Sequence, residues 1–526
     1  MSKTKPINYY LDMFKDYFPH ISEIYDVQEK MALKMLNALK NDGTVITCQG
    51  PTGMGKSLVI DAVAMKIADE GKRVLISSPV YSALNDNHHI QLESLKVDHG
   101  ILHGFSWWKR QGFRCPKDNS VLPSKNVCIK SKCSEESCPV YQEYQDIRAK
   151  NLVLTVHHKI ASTPSIIKDE KFDVVIIDES HNLPQIIENL AFQRFSTDSL
   201  AAKLATSSPR AQKIIKRART GEVKEVDKRK ILRELRKLAE IPEADEDTYF
   251  LAQAQRVDFS NGKWTFYRPP RRQAKLPEKL SAALVSATME KAPDHIKDCQ
   301  FDSLSQAPPF NSPLTDRFRR RFQRRPVFYL SDGPILRKDR DSPDTYNDFR
   351  QEANKLIQDL ALVVKDQVTL ILCRSNADAQ SIHSHLQTNT TLKGQITYLG
   401  DEDDRDTDEI ESYCKNEIDK GKKLIIATAK NGLWEGANIP ELRCVIIDSL
   451  PYRAPNPTEE TIKAKGGFYR SSMFRFMLRR LQQGIGRLVR KDGDWGIAII
   501  IDGRMYSGKR WIHKQLPQWI VDPGII

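Results

Sequence analysis

Apolar residues along this chain gather into short continuous runs, separated by stretches in which they recur every three or four positions. The first pattern marks strands and the second marks helices. In the first half, Thr44–Gln49, Arg73–Pro79, Asn151–Val156, Phe172–Ile177 and Ala283–Val285 read as strands; in the second half, Val368–Cys373, Lys423–Thr428, Cys444–Ile447 and Ile497–Ile501 do. These runs are largely apolar throughout instead of alternating with polar positions, so each strand is expected to be covered on both faces, as in a parallel sheet flanked by helices. Helical periodicity falls between them: Met31, Leu33, Met35, Leu36 and Leu39 form one apolar face, and Leu58 to Ala68 reads as a second helix. The pattern predicts an α/β fold with two parallel sheets. It is interrupted between about residues 187 and 282, where Ile231, Leu232, Leu235 and Leu238 mark an amphipathic helix, so an inserted helical module is expected there. The acidic tract from Asp401 to Glu411 reads as an exposed loop inside the second half.

At 526 residues the chain exceeds one hydrophobic core and predicts two to four domains. Hydrophobic residues at 40% and charged residues at 28% are the proportions of a soluble globular protein, which excludes wholesale disorder. No apolar run reaches membrane-spanning length, and Met1 to Pro6 lacks the apolar core of a signal peptide, so a cytoplasmic protein without a membrane partner is expected. Formal net charge is +13, which favours a polyanionic partner such as nucleic acid. The nine cysteines are odd in number, and Cys48, Cys373 and Cys444 lie singly in strand-like runs, so a disulfide framework is not expected.

The sharpest chemistry lies in Gly50-Pro51-Thr52-Gly53-Met54-Gly55-Lys56-Ser57, a full G-x-x-x-x-G-K-S match between a predicted strand and a predicted helix. Glycines there let successive N–H groups face a polyphosphate, Lys56 reaches its outer phosphates, and the Ser57 hydroxyl suits magnesium. About 120 residues on, the strand ending at Ile177 delivers Asp178 and Glu179 at its tip, followed by Ser180 and His181. In this Walker B arrangement Asp178 would hold magnesium and Glu179 would orient and deprotonate an attacking water. Gln28, about twenty residues before the loop, carries an amide able to donate to and accept from an adenine edge. Ser77, Ser78 and Tyr81, at the end of another strand, are candidate contacts to a sugar-phosphate backbone or, equally, helix caps.

Cys115, Cys128, Cys133 and Cys138 place four thiols within twenty-four residues, enough for an iron–sulfur cluster or a structural zinc ion. Trp107, Trp108 and Tyr141, near these cysteines, suit stacking on bases as well as core packing. Between Lys213 and Lys237 eleven Lys or Arg face four Asp or Glu, a basic helical surface able to meet phosphates. Arg317 to Arg325 interleaves arginines with aromatics, in a linker or a strand-gripping surface. Near the end, Gln483, Arg487 and Arg490 fall at i, i+4 and i+7, one face if the segment is helical, where the two arginines could neutralise charge on a transferring phosphoryl group.

Taken in order, these segments resemble the motifs of superfamily 2 helicases of the DinG/XPD type, over nearly the whole chain. Tyr25 and Gln28 match the adenine-reading Q motif and Gly50 to Ser57 the phosphate loop, with Ser77 to Leu84 as motif Ia and Asp178 to His181 as a DEAH-like motif II. Ser286 to Thr288, Leu370 to Ser375, Gly432 to Gly436 and Gln483 to Arg490 supply motifs III to VI, with Gly436 among the nucleotide-binding positions. The resemblance implies two RecA-like domains, the first assembled from residues 1–102, 151–186 and 283–310 and the second from 311–526. It also implies an iron–sulfur domain at 103–150, with Cys115, Cys128, Cys133 and Cys138 holding a [4Fe–4S] cluster, and an Arch-like helical insertion at 187–282. ATP and Mg2+ would be the other cofactors. The activity implied is ATP-driven 5′ to 3′ movement on single-stranded DNA by a monomer, unwinding forked duplexes or RNA–DNA hybrids, within a repair, phage or CRISPR setting. The alternative is a translocase or recruitment factor that remodels complexes without extensive unwinding. Three features depart from the pattern: Ser180 stands where alanine is usual, Asn438 where aspartate is frequent, and the Arch-like region is short.

Overall fold

The computed structural model describes residues 26–50, 54–104, 107–108, 111–113, 137–163, 165–204, 209–217, 225–236, 250–260, 263–268, 276–287, 292–312, 326–329, 333–334, 343–400, 407–428, 433–434, 439–452, 470–488, 494–505, 512 and 523–525. The chain divides into two compact units, with the main boundary after Ser312. Each is built on its own parallel sheet.

In the first unit the strands are β1 (Thr44–Gln49), β2 (Val74–Ser78), β3 (Gly100–Leu102), β4 (Leu152–Val156) and β5 (Val174–Ile177). Three further strands come later in the chain, after three that belong to a separate small sheet. That small sheet comprises β6 (Phe192–Ser196), β7 (Arg256–Ser260) and β8 (Lys263–Tyr267); the late strands are β9 (Ser281–Ser286), β10 (Ser305–Gln306) and β11 (Phe310–Asn311). The main sheet runs in the order β10-β1-β9-β5-β2-β4-β3, with β11 also pairing on β1. Strands β1, β2, β4, β5 and β9 are buried almost throughout, because valine, isoleucine and leucine occupy both faces and helices cover them. The core on one face joins Leu75, Val153, Val175, Ala282 and Leu284 to Leu183, Ile187 and Phe301.

The inserted segment is not the all-helical module expected. Helices Thr197–Lys203, Pro209–Arg217 and Glu225–Arg236 accompany the antiparallel order β6-β8-β7. Its apolar residues close a separate core around Trp264, Phe266, Leu200, Ile231 and Leu251. The sequence Lys263-Trp264-Thr265-Phe266-Tyr267 explains the difference, since alternating large apolar side chains with a β-branched residue suits a sheet with one covered face.

The second unit orders its strands β14-β15-β13-β16-β17-β12-β18, all parallel, where β12 is Val327–Tyr329, β13 Val368–Cys373, β14 Ile396–Leu399, β15 Leu424–Thr428, β16 Leu442–Ile447, β17 Ile497–Ile500 and β18 Pro523–Ile525. Helix Pro343–Val363 packs Ala353, Ile357 and Ala361 against Ile371, Ile426 and Ile446 of this sheet. From Thr407 the expected acidic loop is instead a helix, Thr407–Asp419, because Ile410, Cys414 and Ile418 recur at four-residue spacing and are buried. Among the described residues, no helix is long and apolar enough to cross a membrane.

Candidate nucleotide and metal site

Strand β1 leads through Gly50 into the phosphate loop, and helix Lys56–Asp69 leaves it. Pro51, Thr52 and Gly53 lie outside the described residues. Gly55 has φ +77°, a left-handed conformation that disfavours any side chain, and a Cβ there would strike the Gln28 amide. The loop and Gln28 therefore touch directly, and Gln28 is buried on helix Asp26–Leu39. Strand β9 separates β1 from β5, so residues leaving β1 and β5 flank its end.

At this junction Lys56 Nζ lies 3.5 Å from Glu179 Oε1, with the lysine side chain 7% exposed and the glutamate 30%. Burial alone would raise the Glu179 carboxyl, but the Lys56 charge, followed by the hydrogen bond and charge of His181, outweighs it and holds the group well below the usual carboxylate range. His181 Nδ1 is 2.7 Å from Ser286 Oγ and 3.3 Å from Glu179 Oε2, and Ser286 Oγ is 3.4 Å from the same carboxylate oxygen. The residue closing β9 is thus joined to those closing β5. Ser180 Oγ meets His295 Nε2 at 2.9 Å, so the serine in the usual alanine position has a partner in helix Ala292–Asp298. Glu179 adopts φ 46° and ψ 47°, a left-handed conformation uncommon for a residue with a side chain.

Asp178 is buried at the tip of β5. Its Oδ1 accepts the Glu179 N–H at 3.0 Å and its Oδ2 lies 3.3 Å from His88 Nε2. His88 sits on a π-helical turn, Asn85–His89, and its Nδ1 is 2.6 Å from Asp61 Oδ1. Burial opposes charge on His88, but Asp61 and the hydrogen bonds to both acids raise it to about 10; burial pushes Asp61 up to about 6 against the pull of His88. Sequence reasoning missed Asp61 and His88, although a carboxylate inside the apolar run Leu58–Ala64 was a visible signal.

Ser77 and Ser78, candidates for a sugar-phosphate contact or for helix capping, are both fully buried in the sheet. Ser77 Oγ instead meets His157 Nδ1 at 2.8 Å. Neither serine caps the following helix, Tyr81–Leu84, which has no side-chain cap. Tyr81 Oη accepts the Gly104 N–H at 2.7 Å and its ring stacks on His103, which in turn stacks on Trp107 with centroids 3.8 Å apart. Trp108 packs edge-on against Trp107, and all four rings are half-buried. Tyr141 is half-buried on helix Pro139–Ala149, immediately after a buried Cys138. Cys115, Cys128 and Cys133 lie outside the described residues.

Residues 357–522 match the helicase C-terminal domain family. A protein of Methanocaldococcus jannaschii named as a probable ATP-dependent helicase is 28% identical over 213 residues, 36% of this chain and 30% of that protein. The protein named 3′-5′ exonuclease DinG of Bacillus subtilis is 28% identical over 168 residues, 30% of this chain and 17% of its own length. The matched stretches therefore span less than a third of either relative. Among solved structures, S. tokodaii Xpd4 superposes with a TM-score of 0.56 at 15% identity, covering 94% of this chain and 99% of that one, a likeness of fold. The C-terminal match, the helicase relatives and the Xpd4-like fold make this chain similar to superfamily 2 helicases of the DinG/XPD type.

In the second unit, Leu372 of β13, Trp434 and Gly484, from the segments that resemble motifs IV, V and VI, draw together. Gly484, on helix Arg470–Gly486, packs so closely that a Cβ would lie 3.0 Å from Leu372 and 3.2 Å from the Trp434 ring. This explains a glycine that a merely basic helix would not need. Gln483 is half-buried on that helix, but the helix ends at Gly486 and Arg487 lies in the turn beyond it. The expected helical face is therefore interrupted before Arg487, because the Gly484-Ile485-Gly486 sequence favours termination. Arg490 and Gly436 lie outside the described residues, as do Asn438 and the run from Arg317 to Arg325. Beneath the motifs, Arg350 donates from both terminal nitrogens to Asp448, at 2.9 and 2.7 Å. Ser375 caps the next helix through the Asp378 N–H at 3.2 Å.

Proposed function

We propose that this chain is an ATP-driven helicase that moves 5′ to 3′ on single-stranded DNA and separates duplex DNA or RNA–DNA hybrids. The supporting observation is the convergence of Lys56, Asp178, Glu179, His181 and Ser286 at the ends of three neighbouring strands. Lys56 holds the outer phosphates, and in doing so releases Glu179 from its ion pair. Glu179, with His181 still beside it, then accepts a proton from water. His181 and Ser286 relay that change to the end of β9. Gln28 reads the adenine edge, Arg487 and Arg490 neutralise charge on the transferring phosphoryl group, and Gln483 offers it an amide N–H.

Ser57 and Asp178 fit the magnesium ion that accompanies ATP. Asp178 is an anionic acceptor whose two oxygens each take one donor, which leaves lone pairs for a metal or its water. Bound there, the ion supplies charge neutralisation on the phosphates. Cys115, Cys128, Cys133 and Cys138 are proposed as ligands of a [4Fe–4S] cluster, on the strength of four thiols within twenty-four residues of sequence. A colourless protein carrying one zinc ion per chain would overturn that assignment.

The test is an unwinding assay on 5′-tailed, 3′-tailed and hybrid substrates, with ATP turnover followed in parallel. Wild type is expected to open 5′-tailed forks, and Lys56→Ala to lose DNA-stimulated turnover. Turnover by Lys56→Ala at the wild-type rate would refute the assignment. Clearance of a bound protein without strand separation would favour the translocase.

A further inference from the structure

The phosphate loop and the β5 tip are tied together by an element that neither motif contains. Asp61 lies on helix Lys56–Asp69 one turn beyond Ser57, so the two residues share a helix face. His88 comes from a different segment, the π-helical turn Asn85–His89. Its imidazole spans the gap, with Nδ1 2.6 Å from Asp61 Oδ1 and Nε2 3.3 Å from Asp178 Oδ2. Asp61 and His88 are fully buried and Asp178 is 2% exposed. Each ring nitrogen thus lies within hydrogen-bond distance of a carboxylate oxygen from a different element.

We propose that His88, anchored by Asp61, is a positioning residue for the divalent metal of the nucleotide complex, an inference that rests on the ATP-site reading above. The metal would take one ligand from the helix, Ser57, and one from the strand, Asp178. The Asp61–His88–Asp178 bridge fixes the separation of those two elements. It also takes up Asp178 Oδ2 while the Glu179 N–H takes up Oδ1, and so holds the carboxylate in one orientation. A buried ion array costs desolvation and is a weak source of net stability. Its value lies in the geometry it imposes.

The experiment measures Mn2+ binding to the full chain in the presence of ADP, by electron paramagnetic resonance, alongside ADP affinity in EDTA. His88→Ala and Asp61→Asn should weaken Mn2+ binding by roughly 10- to 100-fold and leave metal-free ADP affinity unchanged. His88→Gln, whose amide still donates to Asp178, should recover part of the loss and serves if His88→Ala does not fold. The Mg2+ concentration for half-maximal ATP turnover should shift by the same factor. Wild-type Mn2+ affinity in all three variants overturns the proposal, as does equal loss of metal-free and metal-bound ADP. If wild type binds Mn2+ and ADP while the variants match it, only this bridge fails; if wild type binds neither, the ATP-site reading fails with it.

Discussion

Glu179 pairs with Lys56 while its backbone occupies the left-handed region, and the two facts make opposite demands on the side chain. The ion pair requires a carboxylate, whereas the dihedrals favour no side chain at all. Glu179→Gly should accordingly be more stable than Glu179→Ala by about 1 kcal/mol, the reverse of the usual order, as read from urea unfolding midpoints. Both substitutions should lower ATP turnover by roughly 10²–10⁴. His157, held by Ser77, makes a different prediction. Burial is the main cause lowering it from 6.5 to about 4, against smaller opposing contributions from Asp178 and backbone near it, so the folded imidazole is neutral where the unfolded one is charged. The unfolded chain then binds more protons as pH falls through 6.5 towards 4, and stability drops in that window. Wild type should lose about 2 kcal/mol more than His157→Gln between pH 7 and pH 5, measured by denaturant titration. The residues of the loop and the β5 tip were legible in the sequence because each occupies a fixed position beside an apolar run. Asp61, His88 and His295 were not, since their partners lie 27, 90 and 115 positions away along the chain.

At the level of elements, continuous apolar runs identified the main strands of both sheets to within a residue or two, because a strand buried on both faces leaves little choice of composition. Shorter or edge strands escaped. β14, Ile396-Thr397-Tyr398-Leu399, mixes polar and apolar positions at the sheet margin, and β12 spans only Val327–Tyr329. The inserted segment misled for another reason. Its helices are long and charged, while β6, β7 and β8 are short, so helical periodicity dominated the reading. The helix carrying motif VI offers a test of packing at this scale. Gly484→Ala would push a methyl group against Leu372 and Trp434, and should cost about 1–3 kcal/mol on thermal or urea unfolding. A neutral result would mean that the helix can shift off the sheet without loss.

Across the whole molecule, a net charge of +13 should make single-strand binding steeply dependent on salt. A footprint of about five neutralised phosphates gives a slope near −3.5 in a plot of log affinity against log salt, measurable by fluorescence anisotropy. A flat plot would remove backbone contacts as the source of affinity. The order in which the first sheet is assembled has a further consequence for how the protein is made. Strand β9 arrives only after the whole insertion, yet it occupies the place between β1 and β5. On the ribosome, the nascent chain therefore holds β1 without a partner, apart from an unfinished β5-β2-β4-β3 sheet, until β9 has emerged. A chain synthesised in this order cannot join its phosphate-loop strand to the tip of β5 before the insertion has been made, and any stall in that interval leaves sticky strand edges for a chaperone to shield.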